Sequence, residues 1–161
     1  MDGGESQAVS GQTAQGPRQV AEGEWAGWWI WRGTDPYEDL TGPFHFREED
    51  GGAVRCAFRV ERKHLNGGGA LHGGAMMTFA DFCLFAISHP VRKANGDQDH
   101  HVTVSLNGEF VGPALEGDLV EALGEVVRAG GSLSFIRGLM STGGKPVMTF
   151  SGVVKRVKRR D

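Results

Sequence analysis

One short run of this chain carries an amide, an imidazole, two adjacent glycines and a carboxylate: Asn66, His72, Gly73, Gly74 and Asp81. Asp81 stands in apolar company, between Phe79-Ala80 and Phe82-Cys83-Leu84-Phe85. Asp is a poor helix-interior residue, and burying a bare carboxylate costs several kcal/mol, roughly, unless it is paired or protonated. Either Asp81 points into a polar gap and caps backbone there, or it is a reactive carboxylate. The glycines favour the second reading. A helix that starts just after His72 leaves its first amides unpaired and pointing outward. With the helix dipole, those amides suit an oxygen that gains negative charge, as in acyl transfer. Gly73 and Gly74 lack Cβ, so a substrate carbonyl can come close. Asn66 and His72 each donate and accept hydrogen bonds. Asn66 could hold a water or a substrate oxygen; His72 could fix the loop or move protons.

Spacing constrains how these groups meet. From a helix start at Gly73 to Asp81 the rise is about 12 Å. One acyl group cannot touch both places on a single chain. The site makes more sense if the Asp81 carboxylate comes from a second copy.

The elements that must position these residues follow from pattern. Five glycines within 63–74 rule out a strand or helix interior there. The segment 75–88 has no Gly or Pro and is apolar on nearly every side, which predicts a buried helix closed by Pro90. Upstream, 44–47 and 53–60 alternate at period two around a turn at 49–52, a β-hairpin. Downstream, 102–106, 109–111, 119–128, 132–140 and 146–157 read as strands, with Asn107-Gly108 as a bulge. The later strands are joined by turns too short for parallel crossovers, so they form an antiparallel meander. A sheet wrapped round one central helix is an α+β architecture.

The remaining segments frame this unit. Residues 1–24 are nearly free of large apolar groups and are expected to be disordered. All four tryptophans fall within 25–31. They predict a cap packed on the core or a wall of a ligand pocket. Asp35-Pro36 and Gly42-Pro43 punctuate a connecting loop. The expected division is a tail (1–24), a Trp-rich segment (25–43), one folded domain (44–157) and a basic tail (158–161). Net charge is −3, which gives no support to a nucleic-acid or membrane-surface role. The cations at Lys155, Arg156, Lys158, Arg159 and Arg160 form either a solvated tail or a contact for ligand phosphates. Two separated cysteines, Cys56 and Cys83, make no disulfide framework and are expected to be buried thiols. The N-terminal stretch has no apolar leader, so a cytoplasmic location is expected. His89, His100 and His101 with Asp97 and Asp99 show no recognised zinc spacing, so neither metal nor cofactor is expected.

The run Asn66-Gly-Gly-Gly-Ala-Leu-His-Gly-Gly-Ala-Met-Met-Thr-Phe-Ala-Asp81 resembles the signature of the hotdog-fold thioesterase superfamily, in its PaaI-type branch, related to 4-hydroxybenzoyl-CoA thioesterases. The similarity extends from about Gly52 to Val157, through Gly117-Asp118. The resemblance implies a hotdog fold and hydrolysis of acyl-CoA to acid and CoA. It implies Asp81 as general base or nucleophile, the Gly73 amide as oxyanion hole and Asn66 as the group that positions water or carbonyl. It further implies that His72 holds the loop and that the Thr103 hydroxyl assists the water. Sites of this family usually form between subunits of a dimer, and dimers often pair into tetramers. Gly74 and Met77 are candidates to face substrate, although Met76, Met77, Phe82 and Phe85 also suit a core. Arg128 and Arg137, with Lys145, are candidates for CoA phosphates because phosphates need cations. Partners are then an acyl-CoA and further copies of the chain, with no nucleic acid and no membrane. Competing expectations are an acyl-CoA sensor without turnover and a hydratase or dehydratase of the same fold.

Overall fold

The apolar run becomes one long helix, and a single antiparallel sheet curls round it. In the computed structural model, residues 16–158 are described. The strands are β1 (Arg18–Gln19), β2 (Trp29–Ile30), β3 (His45–Glu48), β4 (Val54–Arg59), β5 (His100–Phe110), β6 (Leu119–Gly130), β7 (Leu133–Thr142) and β8 (Lys145–Val157). The helices are α1 (Pro36–Thr41) and α2 (Gly73–Ala94). Strand order is β1-β2-β3-β4-β6-β7-β8-β5. The β6-β7-β8 meander is as the short turns predict, and β5 lies beyond β8 at one edge. This is the hotdog layout that the signature run implies.

The sheet's inner face holds the helix by apolar burial. Phe58, Phe79, Phe82, Leu84, Val120, Ile136, Met140 and Met148 are all but fully buried. Each such side chain contributes about 1.5–3 kcal/mol of transfer free energy. The helix sits very close on the sheet at two glycines. A Cβ on Gly124 would lie 2.6 Å from Ile87 Cδ1, and one on Gly152 would collide with Leu84 Cδ1. Cys56 and Cys83 are buried free thiols, as expected.

Wrapping is incomplete on one side of α2. Met77, Thr78, Asp81 and Phe85 are only half-buried, while Met76, Phe79, Ala80, Phe82, Cys83 and Leu84 are buried. Positions 77, 81 and 85 recur at a helical spacing of four, so they form one stripe. The stripe runs beside β5, since Thr103 of β5 reaches Asp81.

Four expectations change. Pro90 does not close α2, which continues to Ala94. A proline inside a helix withholds one amide and crowds the preceding turn. Here side chains serve that turn: Ser88 donates to the carbonyls of Leu84 (2.7 Å) and Phe85 (3.3 Å), and Arg92 donates to that of Phe85 (2.9 Å). The bulge in β5 falls between Thr103 and Ser105, and Asn107 and Gly108 stay in register with Ser151 and Phe150. Gly108 is needed for close approach: a Cβ there would collide with the Met148 methyl. Asp35-Pro36 starts a helix. The Asp35 carboxylate accepts from the amides of Tyr37 and Glu38, both at 3.0 Å, and proline suits the first helical position. Finally, strand pairing begins at Arg18, ahead of Trp25; residues 1–15 and 159–161 of the expected tails lie outside the described residues. The tryptophans pack as an edge extension of the sheet. Trp31 stacks on Phe46 (4.5 Å) and Trp25 on His45 (4.1 Å).

Candidate active site

The glycine loop is tied down by its own polar groups. Asn66 Oδ1 accepts from the amides of Gly68 (2.8 Å) and Ala70 (3.2 Å). The Asn66 amide donates to the Ala70 carbonyl (2.8 Å), and the Leu71 amide to that of Ala114 (2.8 Å). Asn66 is exposed, and its carboxamide nitrogen has no partner among the described residues. The side chain therefore fixes the loop with its oxygen and offers its N–H groups outward.

His72 is the N-cap of α2. Its Nδ1 accepts from the Gly74 amide at 2.8 Å, which is a loop-holding role. The Gly74 amide is thereby used up. The missing Cβ there makes room for the His72 ring, which such a Cβ would approach to 3.0 Å. Gly73 is the first helical residue, and its amide donates to no acceptor among the described residues. Of the two glycines, Gly73 alone offers a free donor at the positive end of the helix dipole. The Phe110 ring at the end of β5 stands beside it, 3.4 Å from where a Gly73 Cβ would be. Sequence reading missed Phe110, because only strand register brings it there.

Asp81 lies two turns further on. Thr103 donates its hydroxyl hydrogen to Asp81 Oδ1 at 2.6 Å. That bond fixes the carboxylate rotamer and leaves Oδ2 with no partner among the described residues. The family resemblance implies that this hydroxyl assists the water; in the structure it is hydrogen-bonded to the carboxylate. Thr103→Val keeps the shape and removes the bond. A hydrogen bond to a charged group is worth about 1.5–3 kcal/mol. We expect kcat to fall about 10- to 100-fold with KM nearly unchanged. An unchanged kcat in steady-state assays would reduce Thr103 to packing.

Other candidates fall elsewhere. The Met77 sulfur lies 3.5 Å from the Cβ position of Gly108, so it packs between α2 and β5 at the margin of the half-buried stripe. Arg128 and Arg137 are exposed on β6 and β7. Arg137 is bound to Glu125 (2.7 Å) on the outer sheet face. His101 and Asp97 approach to 3.3 Å, and Arg156 faces both Asp97 (3.9 Å) and Asp99 (3.7 Å). Those groups form an ion-pair network at the end of α2. Among the described residues no group of three or more potential ligands is placed to hold a metal.

Sequence reading also missed α1. Tyr37 places its hydroxyl 3.3 Å from Thr78 Oγ1, one turn before Asp81. The neighbouring Glu38 is half-buried. Burial, with the charges of Asp35, Asp81 and Asp39 nearby, pushes its pKa up to about 8. The signal was present in Asp35-Pro36, an N-cap followed by proline.

Comparison with known proteins agrees with this fold. The model of the Thioesterase superfamily matches residues 68–149. A Pseudomonas aeruginosa protein whose name assigns it to the esterases is 32% identical over 120 residues, covering 74% of this chain and 87% of that protein. Human acyl-coenzyme A thioesterase 13 is 30% identical over 100 residues, covering 62% of this chain and 68% of its own. Among solved structures, a mutant form of the phenylacetic acid degradation protein PaaI of Thermus thermophilus superposes with a TM-score of 0.62 at 25% identity, covering 76% of this chain and 100% of that one. A hypothetical thioesterase of Streptococcus pneumoniae solved with coenzyme A shares the fold, with a TM-score of 0.61 at 18% identity, over 73% of this chain and 88% of that one. On the family match, the relatives and the fold together, the chain belongs to the thioesterase superfamily and is a hotdog thioester hydrolase of the PaaI type.

Proposed function

We propose that the protein hydrolyses acyl-CoA thioesters, with Asp81 as general base or nucleophile and the Gly73 amide as oxyanion donor. The observation that carries this reading is the Thr103–Asp81 bond at 2.6 Å, which holds a carboxylate ready on the uncovered side of α2. In the base pathway Asp81 takes a proton from water as the water oxygen adds to the thioester carbon. The carbonyl oxygen becomes an oxyanion and accepts from the Gly73 amide. Collapse breaks the C–S bond, and the proton passes to the departing sulfur, giving free acid and CoA. In the nucleophile pathway an Asp81 oxygen adds to the thioester carbon, the C–S bond breaks and CoA leaves as a thiolate that takes a proton from water. Water then cleaves the acyl–Asp81 anhydride, releasing the free acid and restoring the carboxylate. Asn66 aims its free N–H groups at the water or the carbonyl, and His72 keeps the loop in shape.

Two chains complete each site on this reading. The helix starts at Gly73, so the Gly73 amide and Asp81 are separated by about 12 Å of rise. The half-buried stripe of α2 and the unpaired outer edge of β5 lie side by side. A second copy set there brings its own Gly73 toward Asp81.

The test is release of free thiol from a panel of short, medium, long and aryl acyl-CoAs. Thiol release establishes the hydrolase and begins to name the acyl group. Tight binding of the same esters with no thiol would instead favour an acyl-CoA sensor. Loss of enoyl absorbance without thiol would favour a hydratase.

A further inference from the structure

One carboxyl near the site has no partner. Glu38 is half-buried, and among the described residues neither a hydrogen bond nor an ion pair reaches its side chain. Its oxygens are not sealed off by the protein, so a water or a ligand can reach them. Glu38 borders a cavity of about 320 Å3. Ile30, Trp31 and Phe44 form the apolar walls, and Arg32 and Lys63 stand at the polar side. Lys63 is already engaged: its ammonium donates to the Gly42 carbonyl and lies 3.5 Å from Glu61.

The apolar walls of the cavity pack on the buried face of α2, within the turn that also carries Asp81. Trp31 and Phe44 each lie 5.5 Å from the Phe82 ring, and Phe44 lies 5.3 Å from that of Phe79. The helix bearing Glu38 is fixed to α2 through Tyr37 and Thr78. Asp81 is near enough for its charge to resist ionisation of Glu38. A carboxyl that keeps its proton at neutral pH both donates and accepts hydrogen bonds. A volume of this size is at the lower end for ligand pockets and suits a short acyl group.

We propose that this cavity is the acyl subsite and that Glu38 is its specificity-determining residue, hydrogen-bonding a hydroxyl or oxo substituent close to the thioester carbonyl. The inference rests on the thioesterase reading above. It places the selecting group on α1, outside the residues matched by the family model.

The test compares hexanoyl-CoA with 3-hydroxyhexanoyl-CoA on wild type, Glu38→Gln and Glu38→Leu, following free thiol. Wild type is expected to favour the hydroxylated ester about 10- to 100-fold in kcat/KM, the range for a site whose polar group would otherwise stay unpaired. Glu38→Leu should lose that preference while still hydrolysing hexanoyl-CoA. Glu38→Gln should keep it, because a carboxamide also donates and accepts. Equal kcat/KM for the two esters on wild type overturns the inference, and so does an unaltered preference in Glu38→Leu. In both cases thiol release leaves the hydrolase reading standing. No thiol from any ester overturns that reading and this inference with it.

Discussion

Asp81→Asn should hydrolyse acyl-CoA at least about 100- to 10,000-fold more slowly than wild type, the range for loss of a positioned acid or base. The substitution is isosteric, and Thr103 can still donate to the carboxamide oxygen. What disappears is the ability to take a proton or attack carbon. The fold should not suffer. Asp81 is only half-buried, and a neutral group there carries a smaller desolvation cost than a carboxylate. The melting temperature should therefore equal or exceed that of wild type. Steady-state thiol release and a thermal melt on the same preparation check both parts. A variant within tenfold of wild type would remove Asp81 from the chemistry.

The second large effect comes from the backbone. Gly73→Pro deletes the proposed oxyanion donor and little else. Gly73 is the first residue of α2, where a helix makes no use of the amide and proline is favoured. His72, with φ −69° and ψ 136°, already has the extended conformation that a following proline requires. The new ring must displace Phe110 slightly, and Phe110 is exposed. Loss of one oxyanion donor costs about 100- to 1,000-fold in kcat. Gly73→Ala keeps the amide and serves as the control for bulk. The pair of inactive variants also tests where the two halves of the site come from. Mixed after unfolding and refolding together, Asp81→Asn and Gly73→Pro chains should regain about a quarter of wild-type activity, because half the dimers are mixed and each holds one intact site. Failure to regain any activity, with mixed dimers present, would place both groups on one chain.

Much of this arrangement is legible in the sequence, because local pattern and burial agree there. The all-round apolar run at 75–88 has nowhere to go but a helix inside a sheet, and the glycine-marked turns then dictate antiparallel neighbours. The family resemblance implies a water-assisting hydroxyl at Thr103, but its bond to Asp81 is not legible, because 22 positions separate the two residues and nothing local links them. What stayed hidden depends on long-range contacts or on rules that compete. Pro90 ends most helices, but here hydroxyl and guanidinium groups serve the carbonyls around it. Asp35-Pro36 fits a turn and a helix start equally well, and the short α1 is settled by its docking on α2. Gly74 looks open to substrate until the His72 ring is seen to occupy the space. Glu125, opposite Arg137 in the β6–β7 register, is a partner that the sequence does not reveal.

The two ends of the sheet are unequal, and this bears on how far copies of the chain can grow into one another. One end is β1, two residues long and carrying Arg18. Short, charged edge strands make poor templates for further strands. The other end is β5, eleven residues long. A filament built edge to edge needs two compatible ends on every chain. Among the described residues only β5 is long enough to serve, so it can join only another β5. Such a contact is symmetric and self-terminating. If copies of this chain pair through β5, that pairing is complete at two, and among the described residues the β1–β2 end offers little to a further strand.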